Sequence, residues 1–205
     1  MPHFLIRFSK LGSSRFISHL DLMELFRRAY RRASLPLAAS GGRGPQPRLS
    51  LLQPLPVGTE SLSELLFLEL SRRIDAESLR ERLSRQMPEG IRILEVRPLH
   101  RRFSFPLLDF TYRVEGDREN LPVEREIAEL MSREELIVTR IRKGKERPDD
   151  IRPYLKEIRN HGDHLWMKIA GIDGRTARPD DVMAFLGADP DSFRVTRLGT
   201  CYGDR

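Results

Sequence analysis

A single cysteine, Cys201, stands among the 205 residues, so no internal disulfide can form and the chain alone cannot ligate an iron–sulfur cluster. No apolar run approaches the roughly 20 residues that span a bilayer. The opening stretch, MPHFLIRFSK, lacks the long apolar core of a secretory signal, and the expected compartment is cytoplasmic. Aromatic residues make up only 7%, which argues against a surface built mainly to stack bases. Lysine is scarce as well: of 36 basic residues only five are lysine.

What the chain has in quantity is arginine, unevenly placed. The net charge is +6. Residues 1–50 carry nine basic residues (Arg7, Lys10, Arg15, Arg27, Arg28, Arg31, Arg32, Arg43 and Arg48) against Asp21 and Glu24. The rest of the chain is close to neutral. An arginine-rich genome explains the ratio of arginine to lysine but not this localisation, which points to a surface facing a polyanion.

Periodicity suggests alternating strands and helices. HFLIRF (3–8) alternates as a strand does, and a Gly/Ser loop follows. Ser18 is placed as an N-cap with Asp21 three residues on. The helix it opens sets Leu22, Leu25, Phe26, Ala29 and Ala33 on one face and Arg28, Arg31 and Arg32 on the other, with Arg27 at the flank. RLSLLQPL and ELLFLEL (64–70) are expected strands. Asp75 is expected to cap a helix carrying Leu79, Leu83 and Met87 inward, and IRILEVRPL returns as a strand. This β-α-β-β-α-β order is the ferredoxin-like split arrangement.

The second half repeats the order more loosely. LLDFTYRVEG is a strand, followed by a helix with Val123, Ile127, Leu130 and Met131 inward. ELIVTRIRKG, DHLWMKIAG and FRVTRLGTCY are strands and RPDDVMAFLG a helix, while KERPDDIRPYLKEIRN is ambiguous because of its two prolines. The expectation is α+β: two ferredoxin-like (βαββαβ) halves packed together, residues 1–102 and 103–205. A single mixed α+β domain is the alternative.

Several stretches carry the residue types of a site. Ser18, His19 and Asp21 have triad chemistry but share one helix turn, where triad geometry cannot form and capping already explains two of them. His161 and His164 flank Asp163 and read as a turn more readily than as a metal pair; no metal or cofactor is expected in this chain. SGGRGPQPR (40–48) is neither a Walker loop nor a dinucleotide fingerprint, since no Gly-Lys-Ser/Thr and no helix follow it. Its amides at Gly42, with Arg43 and Arg48, suit an anion or an ordinary turn. The tip of IRKGKERPDDIRP, with Arg142, Lys143 and Lys145, has the same two readings.

FSKLGSSRFISHLDLMELFRRAYRRASLPLAASGG, PQPRLSLLQPLPVGTES and VTRIRKGKERPDDIRPYL together resemble the radical-SAM-linked protein family, domains fused to or encoded beside radical SAM proteins. Where that family's loop looks like Gly-Phe-Asn-Pro-His-Pro, this chain reads Gly42, Arg43, Gly44, Pro45, Gln46, Pro47, so the histidine is absent. The resemblance implies a radical SAM partner in trans that would carry the cluster. The genes found beside family members imply RNA, and paired ferredoxin-like domains resemble CRISPR repeat-processing endoribonucleases by fold analogy.

The leading expectation is therefore a non-catalytic accessory protein that binds RNA through Lys10, Arg15, Arg27, Arg28, Arg31, Arg32, Gly42, Arg43, Arg48, Arg142, Lys143 and Lys145. The alternatives are a protein–protein adaptor for the radical SAM partner and a metal-independent endoribonuclease using His19 with Lys10 or Tyr30.

Overall fold

Phe4, Ile6 and Phe8 alternate along strand β1 (His3–Lys10) and all three are buried, as a period of two requires of a half-covered strand. The structure, a computed structural model, describes residues 1–38, 48–100, 107–142, 144–189 and 192–202, with backbone alone at 107, 142 and 202. The chain divides into two compact units, Met1–Ser104 and Phe105–Arg205.

In the first unit β1 is followed by a 3-10 turn (Gly12–Phe16), α1 (His19–Arg32), β2 (Leu49–Leu51), β3 (Glu60–Glu69), α2 (Ala76–Ser84) and β4 (Ile91–Leu99). The strands pair antiparallel in the order β4-β1-β3-β2. Residues three and four apart on α1 share a face, and Leu22, Phe26, Ala29 and Tyr30 are buried there with Leu79 and Leu83 of α2. Phe8 meets Phe26 edge to face, centroids 4.9 Å apart. Burying each such side chain contributes on the order of 2 kcal/mol. Asp75 caps α2 by accepting the Ser78 amide proton at 2.8 Å.

Two boundaries differ from the sequence pattern. The strand expected over RLSLLQPL is only Leu49–Leu51, because Pro54 and Pro56 cannot donate to a ladder. β3 begins at Glu60, four residues before the apolar run, since Glu60, Ser61, Ser63 and Glu64 are buried by contacts that hydrophobicity does not report. Gly90 (φ 83°) admits a close approach: a Cβ there would lie 2.4 Å from the Leu11 carbonyl oxygen.

The second unit runs β5 (Leu107–Glu115), α3 (Glu124–Ser132), β6 (Ile137–Arg142), β7 (Lys145–Asp150), a 3-10 turn (Arg152–Tyr154), β8 (Leu155–Asn160), β9 (His164–Ile172), β10 (Arg175–Thr176), α4 (Pro179–Phe185) and β11 (Arg194–Tyr202). Its sheet pairs antiparallel in the order β11-β5-β9-β8, with β10 on the far end of β9. Phe110, Tyr112 and Val114 alternate inward on β5 and meet Leu165, Met167 and Ile169 of β9, with Ile127, Leu130, Val182 and Met183 from the helices.

The ambiguous segment 145–160 resolves into β7, a turn and β8, and β6 with β7 makes a two-stranded sheet of its own. Pro148 is tolerated there because β7 pairs with β6 alone among the described residues. Val123 corrects the sequence expectation: it is the N-cap of α3, 56% exposed, and not part of the inward face. The architecture is thus mixed helix and antiparallel sheet, with four helices among the described residues.

Candidate nucleic-acid interface

Within the basic N-terminal stretch, one residue expected at a ligand does not reach the surface. Lys10 is 1% exposed, and its Nζ donates to the Arg15 carbonyl at 3.0 Å and the Ile17 carbonyl at 2.8 Å. A buried ammonium needs such partners, so Lys10 corrects the sequence reading: it organises the turn and does not meet a ligand. Glu60 completes the support by accepting the Gly12 amide proton at 2.9 Å and pairing with Arg15 at 3.8 Å. The turn presents Phe16, 59% exposed, with the Arg15 guanidinium 4.8 Å from its ring centre, a cation–π contact.

At the start of α1, Ser18 Oγ accepts the Asp21 amide proton at 3.2 Å and donates to the Asp21 carboxylate at 2.7 Å. His19 bonds to neither, so the three residues form a cap and no triad. Tyr30, a second catalytic expectation, is fully buried; its hydroxyl has no partner among the described residues and burial pushes its pKa well above the ordinary value. It packs beside Phe26 because it falls on the same helical face as Leu22 and Ala29, and that apolar face outweighs its neighbouring arginines in sequence.

The remaining cations divide sharply. Glu24 pairs with Arg27 at 3.6 Å and with Arg28 at 3.3 Å, the i,i+3 and i,i+4 spacings of one helix flank. Arg48 pairs with Glu69 at 3.2 Å and Arg7 with Glu95 at 3.5 Å. The continuous basic face expected over residues 1–50 is therefore interrupted by carboxylates. Arg31 has no ion-pair or hydrogen-bond partner among the described residues. Arg32 is held by a neutral group: its Nε donates to Gln86 Oε1 at 3.0 Å and its Nη2 to the Gln86 carbonyl at 2.8 Å.

Arg32 and Arg28 line an open groove of about 620 Å³ together with Arg85 and Gln86, from just beyond α2. Ile17, Leu25 and Met87 also line it. Asp21, Glu24, Arg28 and Arg32 follow one another along a single stripe of α1, so the groove is acidic toward the start of that helix and basic toward its end. Arg85, 75% exposed at its side chain, lies 3.8 Å from Glu81. Arg85 and Gln86 were not expected from the sequence, for they lie more than fifty residues from Arg32 and carry no local signal.

In the second unit Arg140 forks onto Asp181 at 3.2 and 2.6 Å and lies 3.8 Å from Asp149. Asp150 accepts the amide protons of Leu136 and Arg152, and Arg152 donates to the carbonyls of Met131, Arg133 and Leu155. The Asp-Ile-Arg-Pro segment thus ties the end of α3 to the hairpin base, a structural role. Lys145 is exposed at the hairpin end. Gly42, Arg43, Lys143 and the Arg142 side chain lie outside the described residues. His161 and His164 stack at 4.9 Å, and the His164 Nδ1–Asp163 hydrogen bond of 2.6 Å holds that carboxyl below its ordinary pKa. Among the described residues no group of three or more His, Cys, Asp or Glu side chains is placed to hold a metal ion.

The family model described as an uncharacterized protein conserved in bacteria (DUF2344) matches residues 3–179. No curated protein matches the chain. Among solved structures, the crystal structure of an unknown protein from Galdieria sulphuraria is 14% identical and covers 99% of both chains at a TM-score of 0.30, a likeness that carries no argument.

Proposed function

The chain belongs to the DUF2344 family of proteins conserved in bacteria, and we propose that it is a non-catalytic RNA-binding accessory protein whose first unit holds phosphates at the end of α1. One observation carries this reading: Arg32 is fixed by a neutral side chain and a carbonyl, with Arg28 and Arg85 in the same groove. A guanidinium held without a carboxylate keeps its full charge and is already oriented, which favours an anion with little ordering cost. Arg31, exposed and unpaired among the described residues, extends the same positive end.

The strand orders β4-β1-β3-β2 and β11-β5-β9-β8 support reading both units as ferredoxin-like, each a split βαβ unit with the hairpin β6–β7 inserted in the second. The resemblance to radical-SAM-linked proteins supports a radical SAM partner. That partner would bring the iron–sulfur cluster, which the single Cys201 cannot assemble here. Catalysis is disfavoured, since Lys10 and Tyr30 are buried and the Ser18 hydroxyl is engaged, leaving His19 without a second acid or base.

An anisotropy titration of labelled RNA tests the proposal. Binding should weaken with salt by about 0.7 log units per log unit of salt for each single-strand phosphate held. Arg31→Ala/Arg32→Ala should lower affinity and flatten that slope. Absence of binding at low salt would overturn the RNA reading. Exposed Phe16 and Leu20, 59% and 78% accessible, would then favour the adaptor reading, tested by copurification with a radical SAM protein and its loss in Phe16→Ala/Leu20→Ala.

A further inference from the structure

We propose that the β6–β7 ribbon is a second RNA contact, gripping the sugar–phosphate backbone of a folded, double-helical segment; it rests on the RNA-binding reading above. The ribbon pairs with no other strand among the described residues. A two-stranded hairpin is marginal in water, and here its base is tied down. Arg140 reaches Asp181 and Asp149, Asp150 takes two backbone amides, and Val138 packs against the core. Beyond that base, residues 144–148 are all exposed.

The register is the telling feature. Arg140 stands opposite Arg147, and Arg142 stands opposite Lys145. Because strand positions alternate, Arg140, Lys145 and Arg147 fall in one row, which Val138 and Asp149 continue toward the base. Like charges directly opposite destabilise a strand pair. Arg140 is compensated by its two aspartates, whereas Arg147 and Lys145 are exposed with no partner among the described residues. Such an arrangement weakens the free hairpin and is relieved by an anion lying between the strands. Successive rows lie about 7 Å apart, a spacing comparable to that of neighbouring phosphates along one nucleic-acid strand.

The other row carries Ile137, Thr139 and Ile141 opposite Asp150, Pro148 and Glu146, with the two isoleucines 49% and 74% exposed. An acidic protein surface would have little use for that row. The wide, shallow minor groove of A-form RNA offers ribose edges to it and flanking phosphates to the basic row. The ribbon therefore suits a structured RNA, while the α1 groove accepts a backbone of either kind.

The test is titration of the full chain against a labelled RNA stem–loop, oligouridylate of equal length and polyglutamate, with thermal melting of each variant. Lys145→Ala/Arg147→Ala should bind the stem–loop about tenfold more weakly, with a salt slope shallower by about one to two. Its melting temperature should be unchanged or higher, since a like-charge pair has been removed. Unchanged affinity and slope, with Arg31→Ala/Arg32→Ala still impaired, would overturn the ribbon contact and leave the α1 groove standing. A lower melting temperature with an unchanged slope would assign these residues a structural role and overturn it too. Loss of polyglutamate binding without loss of stem–loop binding would overturn the choice of RNA. No binding of either RNA by the unaltered protein at low salt would overturn the RNA reading itself.

Discussion

The two units share one strand order, and both pair many of their cations internally; they differ in where exposed cations are left, the end of α1 in the first and the β6–β7 ribbon in the second. In the first, basic residues from the opening fifty are turned onto the unit's own acceptors: Lys10 onto carbonyls, Arg27 and Arg28 onto Glu24, Arg48 onto Glu69. In the second, Arg140 and Arg152 serve as ties at the hairpin base, and beyond it Lys145 and Arg147 are exposed with no partner among the described residues. Local excess of positive charge in a sequence therefore does not locate the exposed charge. In the unit with the larger formal excess, Arg32 keeps a solvent-facing positive charge because the neutral Gln86 holds it, beside the exposed Arg31.

Substitutions can break or sharpen that contrast. The largest effect is expected from Lys10→Ala, which strips two carbonyls of their buried donor and should destabilise by about 3 kcal/mol in urea unfolding. Arg140→Ala should cost about 2 kcal/mol by removing the guanidinium that faces Asp181 and Asp149. Its signature should be local, with faster amide exchange across 137–150 and little change in the first unit. If Arg140→Ala proved the more damaging of the two, the ranking of the buried Lys10 above the hairpin tie would fail.

A smaller effect separates the helix starts. Ser18 caps α1 through its side chain, and Val123 gives α3 no such bond. Ser18→Ala should lower stability by about 1 kcal/mol, whereas Val123→Ser should raise it by about 0.5 kcal/mol, both read from denaturation midpoints. Tyr30→Phe should have the least effect at neutral pH, near zero or slightly stabilising, since the hydroxyl has no partner among the described residues. Its consequence lies at high pH. Burial raises the phenol pKa above the ordinary 10.0, so the folded state keeps a proton that the unfolded chain releases. Stability is intact below about pH 10 and falls above it, by at most about 1.4 kcal/mol per pH unit. Tyr30→Phe should flatten that fall; an unchanged alkaline limb would contradict the burial of this residue.

Much of the fold could be read from short-range pattern. HFLIRF, the Ser18 and Asp75 caps and the Leu79–Leu83 pair all express periods of two or of three to four residues. The start of β3 could not, because Glu60–Glu64 looks like a loop until Gly12 and Arg15 are seen to meet Glu60. The β6–β7 ribbon was obscured by Pro148, which is tolerated on a strand paired on one side among the described residues, and by Pro153, which opens the 3-10 turn after it. For the candidate site, Arg31 and Arg32 were legible as the exposed side of an amphipathic helix. Lys10 and Tyr30 were misplaced, and Arg85 and Gln86 were invisible.

Neighbours within a turn or two were thus enough to specify the alternating elements, their caps and the apolar faces, since backbone geometry repeats over that range. Which cations meet solvent was decided by partners far along the chain, Gln86 for Arg32 and Glu60 for the turn above Lys10. Ion pairing and hydrogen bonding depend on a few ångströms of space, and chain separation does not enter them.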